Sequence, residues 1–243
     1  MVFQMFHKLR QTQRPYCSAI VAAAGSSVRM GGTNKLLTEL AGIPVLIHTL
    51  RALNQAAGVD EIVIAAREDE IVEFSRLCRE YDIDKPTKVV CGGDSRAESV
   101  MRAALEANPE AKLLAVQDGA RPLVTPELID RVIDKAARCM AAAPGIAVKD
   151  TVKVVRDGEV IRTLDRDALM AIQTPQVFEA SLLKAALQAT LQTGAQVTDD
   201  CSAVERLGKI VYLVDGSEDN LKITTSTDLI VAEALLRERM ERA

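Results

Sequence analysis

Short apolar runs rich in β-branched residues alternate along the chain with longer stretches whose apolar positions recur every three or four residues. Ala19-Ile20-Val21, Glu61-Ile62-Val63-Ile64-Ala65, Thr87-Lys88-Val89-Val90-Cys91 and Lys112-Leu113-Leu114-Ala115-Val116 read as four strands. Between them, 44–56, 69–81 and 96–107 read as helices, with Val45, Leu46, Thr49, Leu50 and Leu53 on one face of the first. Pro44 and Pro126 suit first helical turns, and Thr125 suits an N-cap. Strands that are apolar throughout, alternating with helices, predict an α/β fold with a mostly parallel sheet covered on both faces.

The rhythm changes after Pro144. Ile146-Ala147-Val148 continues a strand, and Val152–Val155 and Glu159–Ile161 then flank Arg156-Asp157-Gly158. Asp-Gly between two alternating runs predicts a hairpin. A lone hairpin buries too little apolar surface to stand by itself, so it packs on the body or reaches a second subunit. Helical pattern resumes over 180–192 and 200–207, a strand follows at 210–214, and a last helix starts near Thr227. There is no internal repeat or low-complexity linker.

Composition narrows the function. The 243 residues are 48% hydrophobic and 26% charged, which excludes disorder, and no run of 18 apolar residues is present to span a bilayer. A net charge of −4 and 3% aromatics argue against a nucleic-acid binder, so any anionic ligand needs a local basic cluster. Cys17, Cys78, Cys91, Cys139 and Cys201 are far apart and odd in number, which predicts buried free thiols in a reducing compartment. His7 and His48 share no metal-ligand spacing with them. The opening residues lack the apolar core of a secretory signal and read as a frayed extension.

Four loops carry the candidate chemistry. After the first strand, Ala22-Ala23-Ala24-Gly25-Ser26-Ser27-Val28-Arg29 leads on to Lys35, and small residues there let backbone N–H groups approach a phosphate. The spacing matches neither the dinucleotide-binding nor the P-loop pattern. Gly92-Gly93-Asp94-Ser95-Arg96-Ala97-Glu98-Ser99 follows the third strand, with Asp94 or Ser95 available as a helix cap. Gln117-Asp118-Gly119-Ala120-Arg121 follows the fourth, where Asp118 could hold a divalent cation or pair with Arg121. Asp219-Asn220-Leu221-Lys222 places Lys222 beside a short strand. With no Cys–His pairing and no candidate histidine base, cations, an aspartate and backbone donors remain, the equipment of phosphoryl or nucleotidyl transfer.

Six separated patches across residues 19–232 together resemble the 2-C-methyl-D-erythritol 4-phosphate cytidylyltransferase family: AAAGSSVRM with Lys35, GGDSRAES, QDGARP, KDTVKVV, QTPQVF with TDDCSAVE, and DNLKITT. The resemblance implies a Rossmann-like nucleotidyltransferase fold with a protruding β-arm at about 148–172, residues 1–17 being a flexible extension and 18–243 one domain. It implies a cytoplasmic homodimer joined through the arm, CTP and a polyol phosphate as substrates, and a Mg2+ cofactor.

By position, Arg29 and Lys35 match the residues that stabilise the transition state, and Ala23, Ala24 and Gly25 the nucleotide-binding turn. Gly93, Asp94 and Ser99 match the cytosine-recognising loop, while Asp118, Ala120 and Arg121 match the region facing the ribose and the metal. Arg166 and Lys222 match the pair that positions the sugar phosphate, which Thr151 also reaches from the arm. Ala22 and Gln117 depart from the family, which often has Pro and His there. A cytidylyltransferase for ribitol 5-phosphate and a catalytically silent nucleotide-binding module are the alternatives.

Overall fold

The computed structural model describes residues 14–25 and 34–242. Strand β1 (Cys17–Ala22) sits between β4 (Glu61–Ala66) and β6 (Leu113–Asp118), parallel to both, and β5 (Thr87–Cys91) continues the parallel set beyond β4. Every residue of β4 and β6 is buried, as the unbroken apolar runs predict. The faces alternate: Ala19, Val21, Ile62 and Ile64 join one core, while Ile20, Val63 and Ala65 join the other.

The first core is closed by α1 (Val45–Gln55), α2 (Ile71–Glu80), α4 (Pro126–Cys139) and α7 (Ser226–Arg242). The second is closed by α3 (Arg96–Glu106), α5 (Ala180–Thr193) and α6 (Asp200–Glu205). Helix starts follow their caps: Thr125 accepts from the Leu128 amide at α4, and Ser95, rather than Asp94, accepts from the Glu98 amide at α3. A two-strand turn, β2 (Glu39–Leu40) with β3 (Ile43–Pro44), leads into α1, making Pro44 the N-cap and not the first helical residue.

Beyond β6 the sheet departs from expectation. Strand β7 (Ala141–Ala147) starts five residues before the predicted Ile146. The antiparallel strands β10 (Met170–Ile172) and β11 (Gln176–Glu179) have no counterpart in the predicted elements. β11 lies between β6 and β7, β10 pairs with β7, and β12 (Tyr212–Asp215) runs parallel to β7. Alanines 141–143 and Pro144 carry little strand propensity, so their burial, and not their preference, makes β7.

Residues 153–156 (β8) and 159–163 (β9) form the predicted hairpin as a separate two-stranded sheet, with Asp157 and Gly158 at positive φ. All of β9 is exposed. No helix among the described residues is long and apolar enough to cross a membrane. Cys17, Cys78 and Cys201 are buried free thiols as expected; Cys139 is half-buried and Cys91 is exposed, because it ends β5 at the open side of the sheet.

Candidate active site

Strands β1, β5 and β6 end on the same edge, and the loops that follow them enclose a cleft of about 590 Å3. It is lined by Ala23, Ala24, Gly25, Lys35, Gly93, Asp94, Ser99, Asp118, Ala120 and Lys222, ten of the residues singled out in the sequence. This is where an open α/β sheet offers a ligand its strand ends and loop amides. Arg29 lies outside the described residues.

The two glycine-bearing walls meet closely. A Cβ at Gly92 would come within 2.5 Å of the Ala24 Cβ, so a side chain there would force the β1 and β5 loops apart. Ser99, buried in the first turn of α3, accepts from the Gly93 amide at 3.0 Å and donates to the Ser95 carbonyl at 2.9 Å. Asp94 stays exposed while its amide donates to Glu98 at 2.9 Å. Lys35 is carried by a turn anchored at Asn34, whose Oδ1 accepts from the Leu36 amide at 2.9 Å and whose Nδ2 donates to the buried Glu70. Glu70 also accepts from Arg67 at 2.6 Å, and Arg67 itself lines the cleft.

Asp118 forms the charged floor. Its carboxylate meets Arg96 at 2.6 Å, Lys222 at 2.9 Å and Arg121 at 3.5 Å. Burial alone would push this carboxyl up, but the three cations outweigh it and hold the group well below the usual carboxylate range. Arg96 is shared with Asp200 at 2.8 Å, a fully buried carboxylate that its burial pushes up and Arg96 pulls down. Asp200 is fixed in turn by Gln176, whose Oε1 accepts from the amides of Asp200 and Cys201, both at 3.0 Å.

Two expectations need amendment. Lys222 does not lie in or next to a strand along the chain: it sits in a loop without regular structure, and the N–H of the following residue, Ile223, donates to Ala120 O at 2.8 Å. Asp118 pairs with Arg121 as one expectation held, but Arg96 and Lys222 are nearer. Arg121 is itself buried and donates to the Asn220 carbonyl at 2.6 Å. Thr151 and Arg166 do not line this cleft; both are exposed at the base of the hairpin, where Arg166 donates to Lys149 O at 2.9 Å. Arg96, Asp200 and Arg67 were not singled out, since only the folded chain shows which carboxylate each arginine meets.

The cleft joins small-residue loops for a phosphate chain to an array of cations around one ionised aspartate. Asp118 is the kind of lone carboxylate that a hard cation accepts alongside phosphate oxygens. Among the described residues, no three His, Cys, Asp or Glu side chains converge as a ready-made ion site.

Relatives share this sequence and this fold. The sequence profile of 2-C-methyl-D-erythritol 4-phosphate cytidylyltransferase matches residues 17–238. The protein of that name from Halalkalibacterium halodurans is 42% identical over 226 residues, covering 93% of this chain and 99% of its own length. The one from Bacillus thuringiensis is 41% identical over 218 residues, covering 89% and 96%. Among solved structures, 4-diphosphocytidyl-2C-methyl-D-erythritol synthase from Anaerococcus prevotii superposes with a TM-score of 0.82 at 32% identity, covering 91% of this chain and 96% of its own. The cytidylyltransferase from Thermus thermophilus gives 0.72 at 30%, covering 90% and 98%. With its profile matched from β1 into α7 and its charged cleft at the strand ends, the chain belongs to the 2-C-methyl-D-erythritol 4-phosphate cytidylyltransferase family.

Proposed function

We propose that the chain transfers CMP from CTP to 2-C-methyl-D-erythritol 4-phosphate, releasing pyrophosphate, in the non-mevalonate route to isoprenoid precursors. The observation that carries this reading is the pairing of Lys222 with Asp118 on the floor of a glycine-walled cleft that Lys35 also lines. A 4-phosphate oxygen attacks the α-phosphorus of CTP. The new P–O bond forms as the bond to the β-phosphate's bridging oxygen breaks, and pyrophosphate leaves with the electron pair. The nucleophile is a phosphate with a second pKa of about 6, so it arrives ionised and needs no base. His48 lies in α1, its Nε2 on the Leu40 carbonyl at 2.8 Å, and takes no part.

The obstacle is two anions meeting, and cations relieve it. Lys35 and Arg29 act on the charge that builds at the α-phosphate, and Lys222 with Arg166 positions the 4-phosphate. Ala23, Ala24 and Gly25 offer backbone to the triphosphate, while Gly93, Asp94 and Ser99 read the cytosine and Ala120 and Arg121 border the ribose. A Mg2+ ion arriving with the triphosphate and touching Asp118 would supply charge neutralisation there. Thr151 and Arg166, exposed outside this chain's own cleft, would serve the cleft of a second copy, joined through a β-arm at about 148–172. Residues 18–243 act as one domain, and Cys17, the first residue of β1, belongs to it as well. Five free cysteines suit the reducing cytoplasm.

A pyrophosphate-release assay with CTP, Mg2+ and each polyol phosphate in turn tests this. Turnover is expected with 2-C-methyl-D-erythritol 4-phosphate, and Lys35→Ala should lose roughly 10²–10³-fold in kcat with the fold intact. Release with ribitol 5-phosphate alone would reassign the substrate. CTP raising Tm without any release would reduce the protein to a nucleotide-binding module.

A further inference from the structure

Lys222 is 40% exposed at its side chain and sits on a loop without regular structure, yet its Nζ is held 2.9 Å from Asp118 Oδ2. Something must fix that loop. Gln173 is 5% exposed, in the short link between β10 and β11, and it faces the loop with both ends of its amide. Its Nε2 donates to the Ser217 carbonyl at 2.8 Å. Its Oε1 accepts from the Ser217 amide at 3.3 Å and from Asn220 Nδ2 at 3.2 Å. The Gln173 backbone is pinned as well, its N–H donating to Pro144 O at 2.8 Å.

The fully buried Asn220 completes the clasp. Its Nδ2 also donates to Thr174 O at 3.0 Å, and its own carbonyl receives Arg121 at 2.6 Å. Gly216 brings the loop in: its amide donates to Gly145 O at 2.9 Å, and a Cβ there would stand 2.7 Å from Gln173 Oε1. Two hydrogen bonds in opposite directions to one residue read as a backbone clamp, and a buried polar amide is retained only where its bonds are made.

We propose that Gln173 is a positioning residue for Lys222: it clamps the 216–222 loop to the sheet so that the ammonium is preset over Asp118 before the sugar phosphate arrives. Gln173 does not line the cleft and acts through the loop that carries Lys222. The kinetic consequence rests on the function proposed above; the clamp itself does not.

Two variants test it in the full-length protein. Gln173→Leu removes the clamp at similar volume. Gly216→Ala pushes the Gln173 amide aside from the loop, with Gln173 intact. Without substrate, hydrogen exchange over 216–222 should quicken in both, and a crystal structure of either should show Lys222 Nζ off Asp118; unchanged exchange with the ion pair in place would overturn the clamp. With substrates, the KM for 2-C-methyl-D-erythritol 4-phosphate should rise on the order of tenfold while that for CTP holds. In a Lys222→Ala background, Gln173→Leu should add nothing; the full effect persisting there, or both KM values moving together, would make Gln173 merely structural. If Lys222→Ala alone moves neither KM, the substrate assignment fails, and the exchange result still decides the clamp.

Discussion

At the scale of single residues, Asp118 and Asp200 compete for one guanidinium, and their surroundings push their titrations apart. Among the described residues, Asp118 has three cations and is held below the ordinary carboxylate range, whereas buried Asp200 has Arg96 alone and is pushed up. Removing Arg96 leaves two buried carboxylates short of a partner, so Arg96→Met should cost about 3–5 kcal/mol in urea denaturation. The pH dependence follows from the sign of the Asp118 shift. Its depressed folded pKa means that the unfolded chain binds the extra proton first. The stabilisation is therefore fully present above an unfolded pKa of about 3.9 and is lost as pH falls below it. Asp118→Asn should flatten the fall of stability below about pH 4, read from denaturation midpoints. An acid limb as steep as in the parent would show that the three cations do not act on this carboxyl.

Among the elements, α6 shows how much a short helix depends on its ends. Six residues are too few to hold a helix in water. Its start is a capping box, in which Asp199 accepts from the Ser202 amide at 2.9 Å while Ser202 Oγ takes the Asp199 amide. Gln176 from β11 binds Asp199 Oδ2 at 2.8 Å and the next two amides as well. Asp199→Ala should therefore cost about 1–2 kcal/mol by urea denaturation, and should also lower kcat/KM because Asp200 and Arg96 are set by this turn. A stability loss with full activity would separate the cap from the cleft. The same elements mark what a sequence can disclose. The parallel strands were legible because burial on both faces demands an unbroken apolar run. Alanines 141–143 were not legible, since burial alone makes them a strand, nor was Gln176–Glu179, a short apolar run flanked by Pro175 and a helix. Ala23, Ala24, Gly25, Gly93, Asp94, Asp118 and Ala120 were legible because they end or follow strands that were. Arg96, Gln173 and Asn220 were hidden because their roles depend on β11 lying beside β6, a neighbour relation that no local pattern encodes.

For the whole molecule, the hairpin is the part that the core does not account for. Among the described residues, β8 and β9 pair only with each other, and Val155, Val160 and Ile161 are 54%, 60% and 55% exposed. Two strands with apolar side chains facing water are marginal by themselves. Thr151 and Arg166 flank this hairpin, outside the cleft that Lys222 lines. Both facts are satisfied at once if the hairpin buries its apolar residues on a second copy and brings Thr151 and Arg166 to that copy's sugar phosphate. Val160→Lys with Ile161→Lys then places two charges in the interface while leaving both cores untouched. On that reading, sedimentation should show a dimer for the parent and a monomer for the variant, with secondary structure retained by circular dichroism. Activity should fall along with it, and CTP should still raise Tm, because the nucleotide walls belong to one chain. A charged variant that stays dimeric and active would move the interface elsewhere. A monomer with full activity would mean that Thr151 and Arg166 are dispensable, and that one chain's Lys35, Asp118 and Lys222 suffice to bring the two phosphates together.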